Sequence, residues 1–266
     1  MPESSTPAKG TLPEGAVSEA EASEKIREMF TQIAPRYDLL NHLLSLQFDR
    51  LWRARVARRL CHILARRDAL VLDLCCGTGD LAFSLARAGY ARIIGADFAH
   101  TMLVRAREKS ADLASAASES SAPPILFFEA DALRLPFPDA SFDLVTTAFG
   151  FRNLSNYEAG LREIQRVLKR GGTIAILEFT EPPEGLLGNL YRWYFRSVLP
   201  KIGGLISGQS LAYKYLPNSV ARFFRPPELA SLLSAVGYES VAYSVWTFGT
   251  VALHTAVRPA TVLKSS

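Results

Sequence analysis

The chain has 266 residues, of which 48% are apolar and 21% charged, and a net charge of +4. That length suits one decorated domain, and the composition excludes a wholly disordered chain and a collagen-like one. The basic surplus is too small to argue for nucleic acid by itself.

Residues 1–22 are rich in Pro, Ser, Glu and Ala without an apolar period and read as a disordered tail. A helical pattern begins at Glu24, with Ile26, Met29, Phe30 and Ile33 on one face, and Pro35 interrupts it. Residues 49–67 predict a helix with Trp52, Val56, Leu60, Ile63 and Leu64 on one stripe. Arg50, Arg53, Arg55, Arg58, Arg59, Arg66 and Arg67 decorate it, read as a mostly solvated face; attraction of anionic lipid is the alternative.

The centre alternates between strand and helix signals. Strands are predicted at 69–74, 91–96, 125–129, 142–148 and 173–179, with helices at 81–88, 101–109 and 157–169. Residues 110–124, Ala/Ser-rich and ending in Pro123 and Pro124, read as a linker. Such alternation implies parallel strands joined by right-handed crossovers. Residues 182–225 break the rhythm as an insertion. A helix then opens at Pro227 and is capped at Gly237, and strands at 241–248 and 250–258 suggest a closing hairpin. The expected organisation is a tail (1–22) and one domain (23–258), then a short tail (259–266). The domain comprises a helical lid (24–67), a cofactor-binding core (69–180) and the insertion.

Cys61, Cys75 and Cys76 cannot build a disulfide framework and read as small buried apolar residues in a reducing compartment. His42, His62, His100 and His254 lack metal-ligand spacing, so no metal is expected. No apolar run approaches the ~18 residues of a membrane span, and the N-terminus does not look like a signal peptide. The expected location is cytoplasmic, with peripheral contact to the inner face of a membrane left open.

The most informative stretch runs from Val71 to Asp80, where a strand meets a helix through Gly77, Thr78 and Gly79. Glycines there let a ligand approach the backbone, and the helix N-terminus offers free N–H groups. With Ala82 the turn also fits the dinucleotide fingerprint. Three acids argue against a pyrophosphate-bearing dinucleotide. Asp73 lies within the first strand and suits an ammonium group. Asp97 ends the second and suits ribose hydroxyls. Asp131, followed by Ala132, succeeds the third and suits an adenine amino group. Together they suit the cationic cofactor S-adenosylmethionine.

These residues resemble the class I, Rossmann-like seven-stranded methyltransferases that use S-adenosylmethionine, and the fold class expected is therefore α/β. The turn after strand four, from Thr147 to Leu154, lacks the signature of amine methylation. Further segments are similar to the ubiquinone/menaquinone biosynthesis C-methyltransferases, the demethylmenaquinone methyltransferase type among them. They are Tyr37-Asp38 through Asn41 to Ser45 with Arg50 and Trp52, then Phe149-Gly150-Phe151-Arg152-Asn153, and Arg166 to Gly172 leading into Leu177-Glu178-Phe179. The final one runs from Gly249 to His254. Departures are Asp49 where many members have His, Arg170 in place of a proline, and Ala148 where some have Ser.

The resemblance implies transfer of a methyl group to a ring carbon of a polyprenylated hydroquinone, with demethylmenaquinol favoured. A ubiquinone-precursor benzoquinol and another small-molecule or sterol-type acceptor are the alternatives. It implies a deprotonated ring hydroxyl that makes the carbon nucleophilic. Arg152 is assigned to stabilising the phenolate or lowering the hydroxyl pKa, Asn153 to orienting the hydroxyl, and Tyr37 to covering the site; structural roles in the turn for the first two and core packing for Tyr37 are the alternatives. A non-catalytic scaffold would show damage at Arg152 and Asn153, which are both present. Residues 186–206 mix aliphatic, aromatic and basic side chains. They read as an interfacial helix on an anionic membrane or a wall for a prenyl tail, with core packing or a homodimer surface as alternatives. No nucleic-acid partner is expected, because stacking aromatics do not accompany the arginines.

Overall fold

The computed structural model describes residues 10–13, 15–38, 45, 47–116, 124–181, 185, 215 and 218–260. Helix α1 spans Glu19–Ile33, with the Ser18 side chain capping its start by accepting the Glu21 N–H at 3.2 Å. It therefore begins inside the segment expected as tail, and Ala22 and Ile26 are buried. Upstream, the Thr11 N–H donates to Leu154 O at 2.8 Å, so residues around it lie against the core. A 3-10 turn, Ala34–Arg36, follows where Pro35 removes a helical donor.

Helices α2 (Phe48–Arg59) and α3 (Cys61–Leu64) replace the single helix expected over 49–67, because the backbone at Leu60 leaves the helical region. The predicted stripe is buried nonetheless: Trp52, Val56, Leu60, Ile63 and Leu64 all face the core. Arg53 departs from the expected solvated face. It is 7% exposed and pairs with Asp49 and Asp80. Cys61 also departs from expectation, being exposed while Cys75 and Cys76 are half-buried.

The central elements are β1 (Leu70–Leu74), α4 (Asp80–Ala86), β2 (Arg92–Asp97) and α5 (His100–Ala116). Then come β3 (Leu126–Glu129), β4 (Phe142–Ala148), α6 (Tyr157–Val167) and β5 (Leu168–Phe179). Helix α5 runs through Ala116, taking up part of the expected linker. Strand β5 starts five residues early, because Gly171 (φ 75°) carries the turn without ending the strand. The chain closes with α7 (Pro226–Val236), β6 (Glu239–Trp246) and β7 (Val251–Val257). Gly237, at φ 99°, ends α7 as the sequence predicts.

The described strands form one seven-stranded sheet in the order β3-β2-β1-β4-β5-β7-β6. The first five are parallel, β7 runs antiparallel to β5, and β6 pairs antiparallel with β7. Alternate strand residues serve opposite faces. Leu72, Val145, Ile174 and Ile176 pack with Leu161, Leu229 and Leu233 of α6 and α7. Val71, Leu144, Ala175 and Leu177 pack with Val56, Leu64, Leu81 and Leu85 of α2, α3 and α4. Strand order reverses between β1 and β4, which opens a crevice at their carboxyl ends. The predicted interfacial stretch 186–206, and Asn41 of the Tyr37–Ser45 motif, lie outside the described residues.

Candidate functional site

An open cleft lies over the carboxyl ends of the parallel strands. Of the residues singled out from sequence, it brings together Tyr37, Gly77, Asp97, Asp131, Ala132 and Asn153. Asp73, Thr78, Gly79 and Arg152 are not among its lining residues and stand behind the wall.

The glycine turn owes its path to left-handed backbone. Cys75 (φ 54°), Gly77 (φ 54°) and Gly79 (φ 86°) all adopt it, which is costly for a residue with a Cβ such as Cys75. At Gly79 a Cβ would come within 2.9 Å of the Phe83 ring, so that position is closed by packing. At Gly77 a Cβ would meet only the Tyr37 ring, at 3.6 Å, so its missing side chain opens the backbone towards the cleft.

Asp73 is 1% exposed, with Oδ1 accepting from Thr146 Oγ1 at 2.8 Å and Oδ2 left without a hydrogen-bond partner. Burial pushes its pKa up to about 7, against the Thr146 hydrogen bond. A buried carboxylate oxygen with an open valence beneath a helix N-terminus fits an ammonium ligand group. Asp97 accepts the Gly77 N–H on Oδ2 and the Ala99 N–H on Oδ1, both at 2.9 Å, which fixes its carboxylate at the cleft. Burial raises it to about 6 while those backbone donors oppose the rise. Asp131 accepts the Leu133 N–H at 2.9 Å and remains exposed on the far side. The Cys75 and Cys76 thiols are held well above their ordinary value, by burial first and then by the charges of Asp97 and Asp73. They are poor nucleophiles. The donor set thus fits a cofactor bearing an ammonium, a ribose and an adenine. Among the described residues no cluster of His, Cys, Asp or Glu could hold a metal.

The β4 exit adds Ala148, Phe149 and Gly150 to the cleft lining, and α1 adds Ser23 and Phe30. Phe149 is left-handed (φ 60°), and its ring packs on Phe179 at 4.5 Å and Trp52 at 5.9 Å. Asn153 lines the cleft and accepts from the Tyr215 hydroxyl at 3.0 Å. Arg152 turns away from the cleft. Its Nη1 sits 2.9 Å from Glu178 Oε2 and donates to Phe149 O, and its backbone N–H donates to Glu178 Oε1 at 3.0 Å. Burial, the largest influence, disfavours its charge, but Glu178 first and then Tyr215 and Tyr37 together outweigh it, so its pKa lies above the ordinary value.

Sequence reasoning assigned no role to Glu178, Lys109 or Asp80. The signal for Glu178 was available, since it interrupts an apolar strand as Asp73 does. Lys109 Nζ joins Asp38 (2.9 Å) to Asp80 (2.5 Å), and the Thr78 hydroxyl also donates to Asp38. The Tyr37–Asp38 pair is thereby fastened to the glycine turn.

The model of the ubiE/COQ5 methyltransferase family matches residues 18–258. The chain is 50% identical over 232 residues to a demethylmenaquinone methyltransferase of Thermus thermophilus, covering 87% of this chain and 100% of that protein. It is 49% identical to one of Deinococcus radiodurans, covering 85% and 89% respectively. It is 43% identical to a ubiquinone/menaquinone biosynthesis C-methyltransferase of Geobacter sulfurreducens, over 88% of this chain and 89% of that one. Among solved structures, a Thermotoga maritima S-adenosylmethionine-dependent methyltransferase aligns with TM-score 0.60 at 19% identity, over 88% of this chain and 99% of that one. The [4+2]-cyclase SpnF aligns with TM-score 0.64 at 17% identity, covering 95% and 100%. These structural likenesses concern the fold.

Proposed function

The chain belongs to the ubiE/COQ5 methyltransferase family, and we propose that its acceptor is a ring carbon of a polyprenylated hydroquinone of the demethylmenaquinol type. It is an S-adenosylmethionine-dependent methyltransferase. The observation that supports the acceptor reading is the mixed lining of the cleft: Asp97, Asp131 and the Gly77 backbone share it with the apolar Phe30, Leu133 and Phe149 and with Asn153 and Tyr37. An aromatic diol needs apolar walls and few polar groups.

The cofactor supplies a methyl group activated on a sulfonium. In this reading Asp73, Asp97 and Asp131 with Ala132 hold its ammonium, ribose and adenine. Thr78 and Gly79 keep the Gly77 backbone open towards it. Asn153 orients the ring hydroxyl ortho to the reacting carbon, and Tyr37 covers that carbon from the α1 side and excludes water. Arg152 acts one step removed: through Phe149 O and Glu178 it fixes the Phe149–Asn153 turn, so it is a positioning residue. Its positive charge is offset by Glu178, which weakens the case for direct stabilisation of a phenolate.

Relatives named for both menaquinone and ubiquinone biosynthesis keep a benzoquinol acceptor as the second reading. The test is complementation of separate menaquinone- and ubiquinone-defective strains, with mass spectrometry of the restored quinone. Restoration of methylated menaquinone is the expected result. Restoration of neither quinone would overturn the acceptor reading.

A further inference from the structure

The described residues expose three large apolar side chains close together on one side of the molecule. Phe248 is 78% exposed, Leu51 56% and Phe48 43%. On α2, Phe48, Leu51, Arg55 and Arg58 follow one another at spacings of 3, 4 and 3, which puts them on a single stripe. Two contacts bring the β6–β7 hairpin tip against that stripe. The Trp52 indole N–H donates to Thr247 Oγ1 at 2.7 Å, and the Arg55 guanidinium lies 4.7 Å over the Trp246 ring.

The tip itself is unusual. Thr247 (φ 50°) and Phe248 (φ 55°) are consecutive left-handed residues, neither of them glycine. That conformation is unfavourable for a bulky L side chain, and here it holds an aromatic ring out in water. The tight turn between β6 and β7 calls for left-handed residues, and Thr247 is anchored there by Trp52. The exposed charge on α2 has one sign, although Glu181, exposed beyond β5 next to Thr250, adjoins the hairpin tip. Arg50, Arg55, Arg58 and Arg59 are exposed, whereas Asp49, the only acid of α2, is buried against Arg53.

We propose that Phe48, Leu51 and Phe248, flanked by Arg55 and Arg58, form the face that docks this protein on an anionic lipid bilayer. Apolar tips beside a row of exposed arginines match an interface of acyl chains under anionic headgroups. The face is continuous with the cleft. Phe48 stacks on Trp52 at 6.2 Å, Trp52 packs on Phe149 at 5.9 Å, and Phe149 lines the cleft. An amphiphilic acceptor held in the bilayer has an aromatic path from the docked surface to the site. This proposal rests on the prenylated-quinol reading and adds the surface that would meet such a substrate where it resides.

The test is co-sedimentation of the full chain with vesicles of equal parts phosphatidylglycerol and phosphatidylcholine, and with phosphatidylcholine alone. Two variants are compared with the parent: Leu51→Ser with Phe248→Ser, and Arg55→Gln with Arg58→Gln. Methylation of a water-soluble short-chain quinol is measured in parallel. Binding of the parent to anionic vesicles, weakened by about tenfold or more in either variant with short-chain turnover unchanged, is the expected result. Failure of the parent to bind, or equal binding by parent and both variants, overturns the docking face and leaves the acceptor reading standing. A dimer abolished by the variants, without vesicle binding, also overturns it. Variant-sensitive vesicle binding without methylation of any quinol would instead overturn the acceptor reading.

Discussion

Glu178 holds Arg152 at both ends: its Oε1 accepts the Arg152 backbone N–H at 3.0 Å and its Oε2 meets the guanidinium at 2.9 Å. The two side chains are 2% and 6% exposed, so neither charge has water to replace its partner. Phe149 O accepts from the same guanidinium, and Asn153 follows directly in the chain.

Removal of one partner therefore strands the other. Glu178→Ala is expected to cost ~3–5 kcal/mol of stability, as for a buried pair broken on one side. Arg152→Lys keeps the charge but loses the fork that spans Glu178 and Phe149 O. It should fold, bind S-adenosylmethionine with little change, and lower kcat by about tenfold or more. Calorimetric titration of the cofactor beside steady-state kinetics checks this. A normal kcat in Arg152→Lys would refute the positioning role.

Asp73 and Asp97, proposed to hold the cofactor, make their side of the fold pH-sensitive. Burial raises them to about 7 and about 6, above the ~3.9 of an unfolded aspartate. The folded, cofactor-free protein then keeps protons that the unfolded chain releases. The stabilisation is complete below the unfolded value and is lost as pH rises through 6 and 7. In Asp73→Asn, the fall in Tm between about pH 5 and pH 8 should be shallower than in the parent. Cofactor affinity should move the other way, strengthening as pH rises and Asp73 ionises for the ammonium. Parallel Tm curves for parent and Asp73→Asn would reject burial as the controlling feature.

The sheet was legible because its signals are local. Short apolar runs and Gly77, Gly171 and Gly237 mark strands and turns within a few residues, and the acids at strand ends stand out against them. What sequence obscured are pairs made only by the tertiary fold. Lys109 meets Asp38 across 71 positions and Glu178 meets Arg152 across 26. Arg53 looked like one more arginine on a solvated face, yet it turns inward because Asp49 and Asp80 replace its water. The partner of Arg152 was hidden for the same reason, since Glu178 lies on a different strand.

Lys109 fastens Asp38 to Asp80, and through Asp38 it holds Tyr37 near the glycine turn. These side chains are about a quarter to a third exposed, so solvent screens the pairs and their worth to global stability is small, ~1 kcal/mol or less. The expected effect is on the site. Lys109→Met should raise the Kd for S-adenosylmethionine by about three- to tenfold, in line with a coupling of 0.5–1.5 kcal/mol. Asp38→Asn should do the same, and the double variant should be no worse than either alone. Additive losses in the three Kd values would show that the two residues act separately.

Gly150 sits where β4 turns towards Asn153, and its backbone lies against the glycine turn. A Cβ there would fall 2.3 Å from Cys75 Cβ, so one of the two chains must move. Cys75 is already left-handed and lies two residues before Gly77, which is left-handed too, and this leaves little freedom on that side. Gly150→Ala is expected to lose ~1–3 kcal/mol by overpacking and to shift both halves of the cleft, so cofactor Kd and acceptor KM should rise together. Gly171→Ala is the control, since a Cβ there meets nothing within 4 Å. Its penalty should come only from the positive φ, ~1 kcal/mol, with kinetics unchanged. Urea unfolding and steady-state assays of both variants check this. Equal kinetic effects in the two would show that the close approach of Gly150 to Cys75 is not what shapes the cleft.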